Sequence, residues 1–405
     1  MKRSIRLIAL VALSSLILSA CSTSSTGDSN GDSDGSSGSD AGSSGDAISA
    51  GTTTEVVAAA NAFLALLDDT QKASVVLTAS ADTATVWSNL PTSLVERNGL
   101  SFDSLTDAQL AAAETVLQTA LGVAADEGYS EVTQIRAADD ILASTGGTAT
   151  SGDTARQPPG GSPGGGGLEY GGGLYYLAFL GTPSTTDAWQ LQFGGHHLAV
   201  NINYNEGNVI GATPEFRGLE PKCWSVTDGT TTANDCAAPG TDGTTTTYAP
   251  MYHEQTAMAA MLAGLSTDQL ASAKLPDTFS DVLLGPGEDG QFPATKVGLA
   301  VSGLSDEQKA LVVAAMEPWI QDVDDATAAA MMEIYESELD QTYIAYSGDP
   351  GLTSDADYVR IDGPSVWIEF VCQNGVVYSS QIHYHSVWRD HIRDYGAEYT
   401  FQSSL

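Results

Sequence analysis

Residues 366–375 read Val-Trp-Ile-Glu-Phe-Val-Cys-Gln-Asn-Gly, and residues 376–390 continue Val-Val-Tyr-Ser-Ser-Gln-Ile-His-Tyr-His-Ser-Val-Trp-Arg-Asp. The first run is rich in β-branched and aromatic residues and ends on Asn-Gly, the dipeptide favoured in two-residue hairpin turns. The stretch therefore predicts two antiparallel strands joined at Asn374-Gly375. In that register Glu369 faces away from His383, and only a one-residue slip would bring it to the histidine side as a metal ligand.

Strand patterns occur in two blocks, 174–204 and 358–388, and helical periodicity occurs in two other groups. Three helix starts place Thr or Ser three residues before Gln, as a capping box requires. Their irregular spacing argues against a helical repeat array. Because helices and strands are segregated, we predict an α+β fold, in which an antiparallel sheet bearing the histidine motifs packs with two groups of helices. The helical stretches are 53–68, 106–125, 130–143, 253–273, 305–320 and 325–340, with capping boxes at Thr106/Gln109, Ser266/Gln269 and Ser305/Gln308.

Residues 1–20 have the order of a secretory signal: basic residues, an apolar run over 7–18 and small residues before Cys21. The run is shorter than the ~20 residues that span a bilayer. A cysteine at this point resembles the bacterial lipobox, so we predict cleavage before Cys21 and anchoring to a membrane through lipid on it. Ser22, where aspartate would retain a lipoprotein at the inner membrane, resembles an outer-membrane signal and places the protein in the cell envelope.

Residues 21–50 are almost entirely Ser, Gly, Asp, Thr and Ala, and we interpret them as a tether. Residues 51–405 are predicted to form one α+β domain with a Gly-rich loop at about 148–173. The formal net charge of −36 excludes nucleic acid as a partner, because phosphate would be repelled. The charge does not exclude a small-molecule ligand.

Cys223 and Cys236 flank a polar loop, and an exported chain permits a disulfide between them. That bond would stabilise the fold by ~3 kcal/mol for so short a loop. Cys372 lies in an apolar strand pattern, which favours a buried thiol over a nucleophile.

Histidine is clustered in this chain: five of the six histidines fall in two short motifs. His383 and His385 stand at i and i+2, so on a strand both rings project from one face and can reach one metal. Zn, Cu or Fe would need a third ligand. We expect it from the strand that carries His196 and His197, whose rings point to opposite faces. His197 is favoured because it shares its face with polar residues.

The same motif ends in Trp388, Arg389 and Asp390, with Asp394 following. Beside a metal, Arg389 would hold an anionic substrate group or orient a carboxylate such as Asp390. The alternative is a buried ion network of Arg389, Asp390 and Asp394 that fixes the chain end, with the histidines as structural core residues.

Several motifs together mark a family. They are 179–184 (Phe-Leu-Gly-Thr-Pro-Ser), Trp189, 192–198 (Gln-Phe-Gly-Gly-His-His-Leu), 213–218 (Thr-Pro-Glu-Phe-Arg-Gly), 358–364, 383–390 and 394–396. On these residues the chain resembles the bacterial domain-of-unknown-function family 3500 over nearly the whole mature domain. The family implies no reaction. The 223–236 loop and the Gly-rich stretch are insertions relative to the family pattern, and neither contains a motif residue.

The leading hypothesis is thus a lipid-anchored envelope protein whose histidines bind Zn, Cu or Fe, for metal-dependent hydrolase or oxidoreductase chemistry if it is an enzyme. The competing hypothesis is a non-catalytic ligand-binding protein with a surface formed by Trp189, Tyr384, Trp388 and Arg389. A third interpretation makes the histidine cluster purely structural.

Overall fold

One large sheet organises the computed structural model, which describes residues 53–145, 168–233 and 238–401. A small antiparallel sheet, described over 224–233 and 240–248, stands apart from it. The strands are β1 (Val76–Leu77), β2 (Leu100–Ser101), β3 (Tyr176–Leu180), β4 (Trp189–Gly195), β5 (Leu198–Asn205), β6 (Asn208–Gly211), β7 (Glu215–Leu219), β8 (Trp224–Thr227), β9 (Thr230–Ala233), β10 (Gly240–Asp242), β11 (Thr245–Tyr248), β12 (Leu299–Ala300), β13 (Tyr343–Ser347), β14 (Tyr358–Asp362), β15 (Val366–Asn374) and β16 (Ile382–Asp390).

The large sheet runs in the order β1-β3-β4-β5-β7-β16-β15-β14-β13-β12, with β2 beside β3 and β6 beside β5. Neighbours are antiparallel except β1 and β3. The predicted α+β class is therefore confirmed. Strands β8 to β11 form the small sheet, in the order β10-β11-β8-β9.

Helices cover one face of the large sheet, except for the single helical turn at 81–84, which packs on the other face. The predicted stretch 253–273 divides into two helices, because Gly264 ends the first and Ser266 caps the second. All three predicted capping boxes are present. The helices are α1 (Thr53–Ala65), α2 (Asp69–Val75), α3 (Ala81–Ala84), α4 (Asp107–Ala120), α5 (Gly128–Ser144), α6 (Tyr252–Ala263), α7 (Thr267–Ala273), α8 (Asp306–Ile320) and α9 (Asp325–Ser337).

The two halves of the molecule repeat the same order of elements. Helices α1, α2, α4 and α5 precede β3-β4-β5-β7, and α6, α7, α8 and α9 precede β13-β14-β15-β16. In the first half Gln109 Nε2 donates to Gln71 Oε1 at 3.0 Å. The equivalent bond in the second half joins Gln308 Nε2 to Gln269 Oε1 at 2.8 Å. The halves meet where β7 pairs with β16, at the centre of the sheet.

This two-copy repeat escaped the sequence analysis for a physical reason. Ser266 is the counterpart of Asp68, which caps α2 with its own capping box, and not of Thr106. The spacing between the three capping boxes looked irregular because these boxes belong to helices that are not all equivalent in the two copies.

The core fills both faces of the large sheet. The larger apolar cluster joins the helices to one face through side chains such as Phe179, Leu198 and Phe370. A smaller cluster on the other face includes Trp87, Phe216 and Val387. Among the described residues, no helix combines the length and the hydropathy needed to cross a bilayer.

Candidate metal centre

His383 and His385 lie on β16, beside the central strand β7. They alternate with Tyr384, so both rings project from the same face of the sheet, as predicted. His385 pairs with Gly218 of β7, and His383 pairs with Gln373 of β15. Both rings are nearly fully buried.

His196 and His197 do not extend a strand, so the prediction that their rings point to opposite faces was wrong. Strand β4 ends at Gly195, which pairs with Leu198, and the two histidines form the turn between β4 and β5. A side chain at Gly195 would lie 2.8 Å from the carbonyl of Leu174, so glycine permits this close turn. His197 takes the left-handed conformation with φ 62°, and its ring stacks on that of His196 at 3.7 Å between centroids.

Three of these rings converge on one point. The ring centroid of His197 lies 5.5 Å from that of His383 and 5.1 Å from that of His385, and the last two are 4.9 Å apart. One ring nitrogen from each histidine lies within 4.8 Å of the other two. We call His197, His383 and His385 the histidine centre.

Two nitrogens of this centre lack a protein partner. His383 Nδ1 and His385 Nε2 are buried and have no hydrogen bond to any described residue. On the other side of the His385 ring, Nδ1 lies 2.9 Å from Asp281 Oδ1, and the side-chain amide of Gln373 also hydrogen-bonds this carboxylate. A carboxylate at Nδ1 fixes the tautomer that leaves Nε2 free to bind a metal.

Two rings of the histidine centre disfavour protons. Burial, followed by the neighbouring imidazoles, lowers the pKa of His197 and of His383 well below 6.5. Burial would raise the pKa of Asp281, but its contact with His385 lowers it to about 2. The rings of His197 and His383 are thus neutral at pH 7, which is the form that binds a metal.

Gly218 makes room for the rings. A Cβ at this position would lie 3.0 Å from the Cδ2 atoms of both His197 and His385, and 2.9 Å from the carbonyl of Tyr384. The absence of a side chain at Gly218 therefore lets His197 of the β4–β5 turn and His385 of β16 approach each other.

His196 stands beside the centre rather than in it. Its Nδ1 lies 2.6 Å from Asp139 Oδ1, and its ring faces Tyr170 at 5.0 Å. The preference for His197 over His196 as the third ligand agrees with this geometry.

The structure does not bring the predicted substrate residues to the histidines. Arg389 lies four residues along the strand from His385, roughly 13 Å away. It is fully buried and paired with Asp394 at 2.8 Å and with Asp289 at 2.6 Å. Its remaining guanidinium nitrogen donates to two carbonyl groups.

Asp390 and Trp388 belong to the same chain end. The Asp390 carboxylate accepts from the backbone of Ile392 and Arg393 and from Tyr335 Oη, and Trp388 Nε1 also donates to Tyr335 Oη. These bonds form the buried structural network that the sequence left open as the alternative.

Glu369 is on the face of the histidines, contrary to the predicted register. Strands β15 and β16 pair Glu369 with Val387, because their connection spans 375–381 instead of two residues. Its carboxylate oxygens accept hydrogen bonds from the backbone amides of 283 and 284, from Tyr358 Oη and from Trp367 Nε1. Glu369 is therefore a satisfied core carboxylate and not a ligand of this centre.

A second cluster was missed by the sequence analysis. Glu127, Glu131 and Glu254 each place a carboxylate oxygen within 4.8 Å of the other two, and all three are buried. We call these residues the acidic centre. Each lies at or near a helix start, where acids are common for reasons of the helix dipole, so no sequence signal distinguished them.

Several predictions fall on residues outside the described ranges. These are the signal segment, Cys21 with its tether, residues 148–167 of the Gly-rich loop, and Cys236. Cys223 is buried at the edge of the small sheet, and its disulfide stays a prediction. Cys372 is buried as expected: burial raises the pKa of its thiol, and Sγ donates to the carbonyl of Leu352 at 3.3 Å.

Comparison with protein families identifies the class of the chain. A family of proteins of unknown function, domain-of-unknown-function family 3500, matches residues 49–397. The chain belongs to this family, as its motifs indicated. Comparisons with curated proteins and with solved structures found no match.

Proposed function

We propose that this protein binds a transition metal at the histidine centre. The observation that carries the proposal is the convergence of three buried imidazoles, two of which present a ring nitrogen without a hydrogen-bond partner among the described residues. Unpaired polar atoms are costly to bury, and a metal ion would satisfy them together.

Imidazole ligands favour Zn, Cu or Fe over harder cations. In a tetrahedral site with bonds of about 2.0–2.1 Å, the ligand nitrogens are roughly 3.3 Å apart. Nitrogens that now lie within 4.8 Å of one another would reach that spacing by small side-chain rotations. Three protein ligands leave one position for water or a substrate, as in catalytic metal sites. This favours metal-dependent hydrolysis or oxidation.

The competing ligand-binding surface has less support. Trp189, Trp388 and Arg389 are buried, and Tyr384 packs on Phe370 at 4.9 Å between ring centroids. A small molecule could not contact these four side chains together without opening the core. The third interpretation, a purely structural histidine cluster, is distinguished from metal binding by the following experiment.

Elemental analysis of the full chain, purified without a histidine tag, tests the proposal. We expect near-stoichiometric Zn, Cu or Fe in the parent and loss of that metal in His383→Ala/His385→Ala. His391→Ala is the matched control, because His391 is half-buried against Asp362 and Phe292, away from the centre. A parent that holds no metal after reconstitution would contradict the proposal, and a double variant that unfolds would favour the structural interpretation.

We further propose that the chain is lipidated at Cys21 and anchored in the cell envelope. The order of basic, apolar and small residues before Cys21 supports this. Mass spectrometry of the N-terminal peptide and membrane fractionation of Cys21→Ala test it: the variant should lose the lipid mass and leave the membrane fraction. An unmodified Cys21 in the parent would overturn the anchoring.

A further inference from the structure

The acidic centre joins two helix starts on the helix-covered face of the sheet. Glu127 is the N-cap residue of α5, Glu131 is in the first turn of α5, and Glu254 is in the first turn of α6. Glu131 and Glu254 are 0% exposed and Glu127 is 2% exposed. The three carboxylates therefore face one another in a space that the surrounding helices bury.

Four oxygen atoms of this centre have no hydrogen-bond partner among the described residues. They are both carboxylate oxygens of Glu254, Oε2 of Glu127 and Oε1 of Glu131. The other Glu127 oxygen lies 2.8 Å from His253 Nδ1, and the other Glu131 oxygen accepts from Arg217. Burial, followed by repulsion from Glu127 and Asp322, raises the pKa of Glu254 well above its usual range.

The charge around the centre is unbalanced. Arg217, on β7, is paired with Glu131, with Glu215 at 2.6 Å and with Asp322 at 2.9 Å. One guanidinium thus stands among five buried carboxylates. Burial, and then the mutual repulsion of these groups, raises the pKa of Glu127 above its usual range. The cluster needs either added protons or an added cation.

An opening leads to the centre from the surface. A cavity of about 450 Å³ is lined by Glu127, His253 and, at its rim, the exposed Glu317. Of the three carboxylates, only that of Glu127 lines this cavity, so a cation that enters from solvent would reach Glu127 first.

We propose that Glu127, Glu131 and Glu254 form a second metal centre, which binds a hard divalent cation of the Ca²⁺ or Mn²⁺ type. Carboxylate oxygens are the ligands that such ions prefer. Two oxygens on opposite sides of a Ca²⁺ ion, with bonds of about 2.4 Å, are roughly 4.8 Å apart. The present spacing of the three carboxylates already lies within that limit. The inference does not depend on the histidine centre.

The test uses the full chain after a chelator has removed its metals. One sample is titrated with Mn²⁺, and electron paramagnetic resonance measures the free ion. A second sample is titrated with Ca²⁺, and calorimetry measures the binding. We expect one equivalent of Mn²⁺ or Ca²⁺ per chain and a rise in melting temperature on binding. Glu254→Gln should weaken binding at least tenfold and abolish that rise. Glu317→Gln should bind like the parent, because Glu317 lines the cavity outside the centre.

Absence of Mn²⁺ and Ca²⁺ binding in the parent, or unchanged binding in Glu254→Gln, would overturn the second centre. Glu127→Gln serves in the same titration if Glu254→Gln does not fold. His383→Ala/His385→Ala should bind Mn²⁺ or Ca²⁺ like the parent. The loss of the transition metal from this double variant is measured separately by elemental analysis. Each of the two proposed centres can therefore be contradicted without the other.

Discussion

Two consecutive residues of strand β7 serve two unlike clusters on opposite faces of the sheet. Arg217 points toward the helices and pairs with the carboxylates around the acidic centre. A side chain at Gly218 would project from the other face, and its absence leaves room there for His197 and His385. One cluster presents imidazole nitrogens and the other presents carboxylate oxygens. Burial alone therefore does not define a site: the histidine centre needs space, and the acidic centre needs positive charge.

The largest expected effect comes from removing the positive charge. Arg217→Met leaves Glu131, Glu215 and Asp322 buried without their guanidinium and should destabilise the fold by about 3–5 kcal/mol. Urea unfolding in the presence of chelator measures this. Lys309→Met, which removes a surface ion pair with Asp340, should cost less than ~1 kcal/mol. Equal effects of the two substitutions would contradict the role given to Arg217.

A smaller effect is expected from filling the space on the other face. Gly218→Ala brings a methyl group against the rings of His197 and His385, and overpacking of this kind costs about 1–3 kcal/mol. The variant should bind a transition metal more weakly and Mn²⁺ or Ca²⁺ normally. Gly303→Ala is the control, since nothing lies within 4 Å of a Cβ there. Unchanged affinity in Gly218→Ala would show that the rings have more room than we describe.

The carboxylate behind His385 should matter for binding more than for stability. Asp281→Asn keeps the shape of the side chain but removes the charge that orients the ring, and the affinity of the histidine centre should fall about 10–100-fold. Competition with a metallochromic chelator measures that affinity. An affinity equal to that of the parent would mean that Asp281 does not position His385.

A further test concerns pH. Because the pKa values of His197 and His383 are lowered in the folded chain, the unfolded chain takes up protons below about pH 6.5 while the folded chain does not. As the pH falls from 7 to 5, each of these histidines should therefore lower the stability of the metal-free protein by about 1.4 kcal/mol per pH unit while it stays neutral. The raised pKa of Glu127 acts in the opposite direction, so the quantity to measure is the difference between the parent and His383→Ala. The parent should lose stability relative to that variant as the pH falls, and equal slopes of stability against pH in the two proteins would contradict the lowered pKa.

Parts of this comparison could be predicted from the sequence and parts could not. The alternation of His383 and His385 placed both rings on one face, since strand periodicity is local. The hairpin register was wrong because of a distant contact: Glu220 Oε1 accepts from the backbone amides of Val377 and Tyr378 and holds a longer loop after Asn374. That contact depends on the fold of another strand end, which local propensity does not reveal.

The acidic centre was invisible for a related reason. Glu131 and Glu254 each look like an ordinary acid in the first turn of a helix, and only the packing of α5 against β7 and α6 brings them together. Arg217 likewise belonged to a family motif without a visible partner, although Glu215 stands two residues away. The buried chain-end pair of Arg389 and Asp394, in contrast, is close enough in sequence to be foreseen.

X-ray absorption spectroscopy of the full chain, loaded with one equivalent of Zn²⁺, shows whether the three histidines hold a metal together. We expect three imidazole nitrogens at about 2.0–2.1 Å from the zinc, with the outer-shell scattering of imidazole rings, and their loss in His383→Ala/His385→Ala. A zinc ion surrounded only by oxygen or sulfur, with a spectrum unchanged in the double variant, would contradict it.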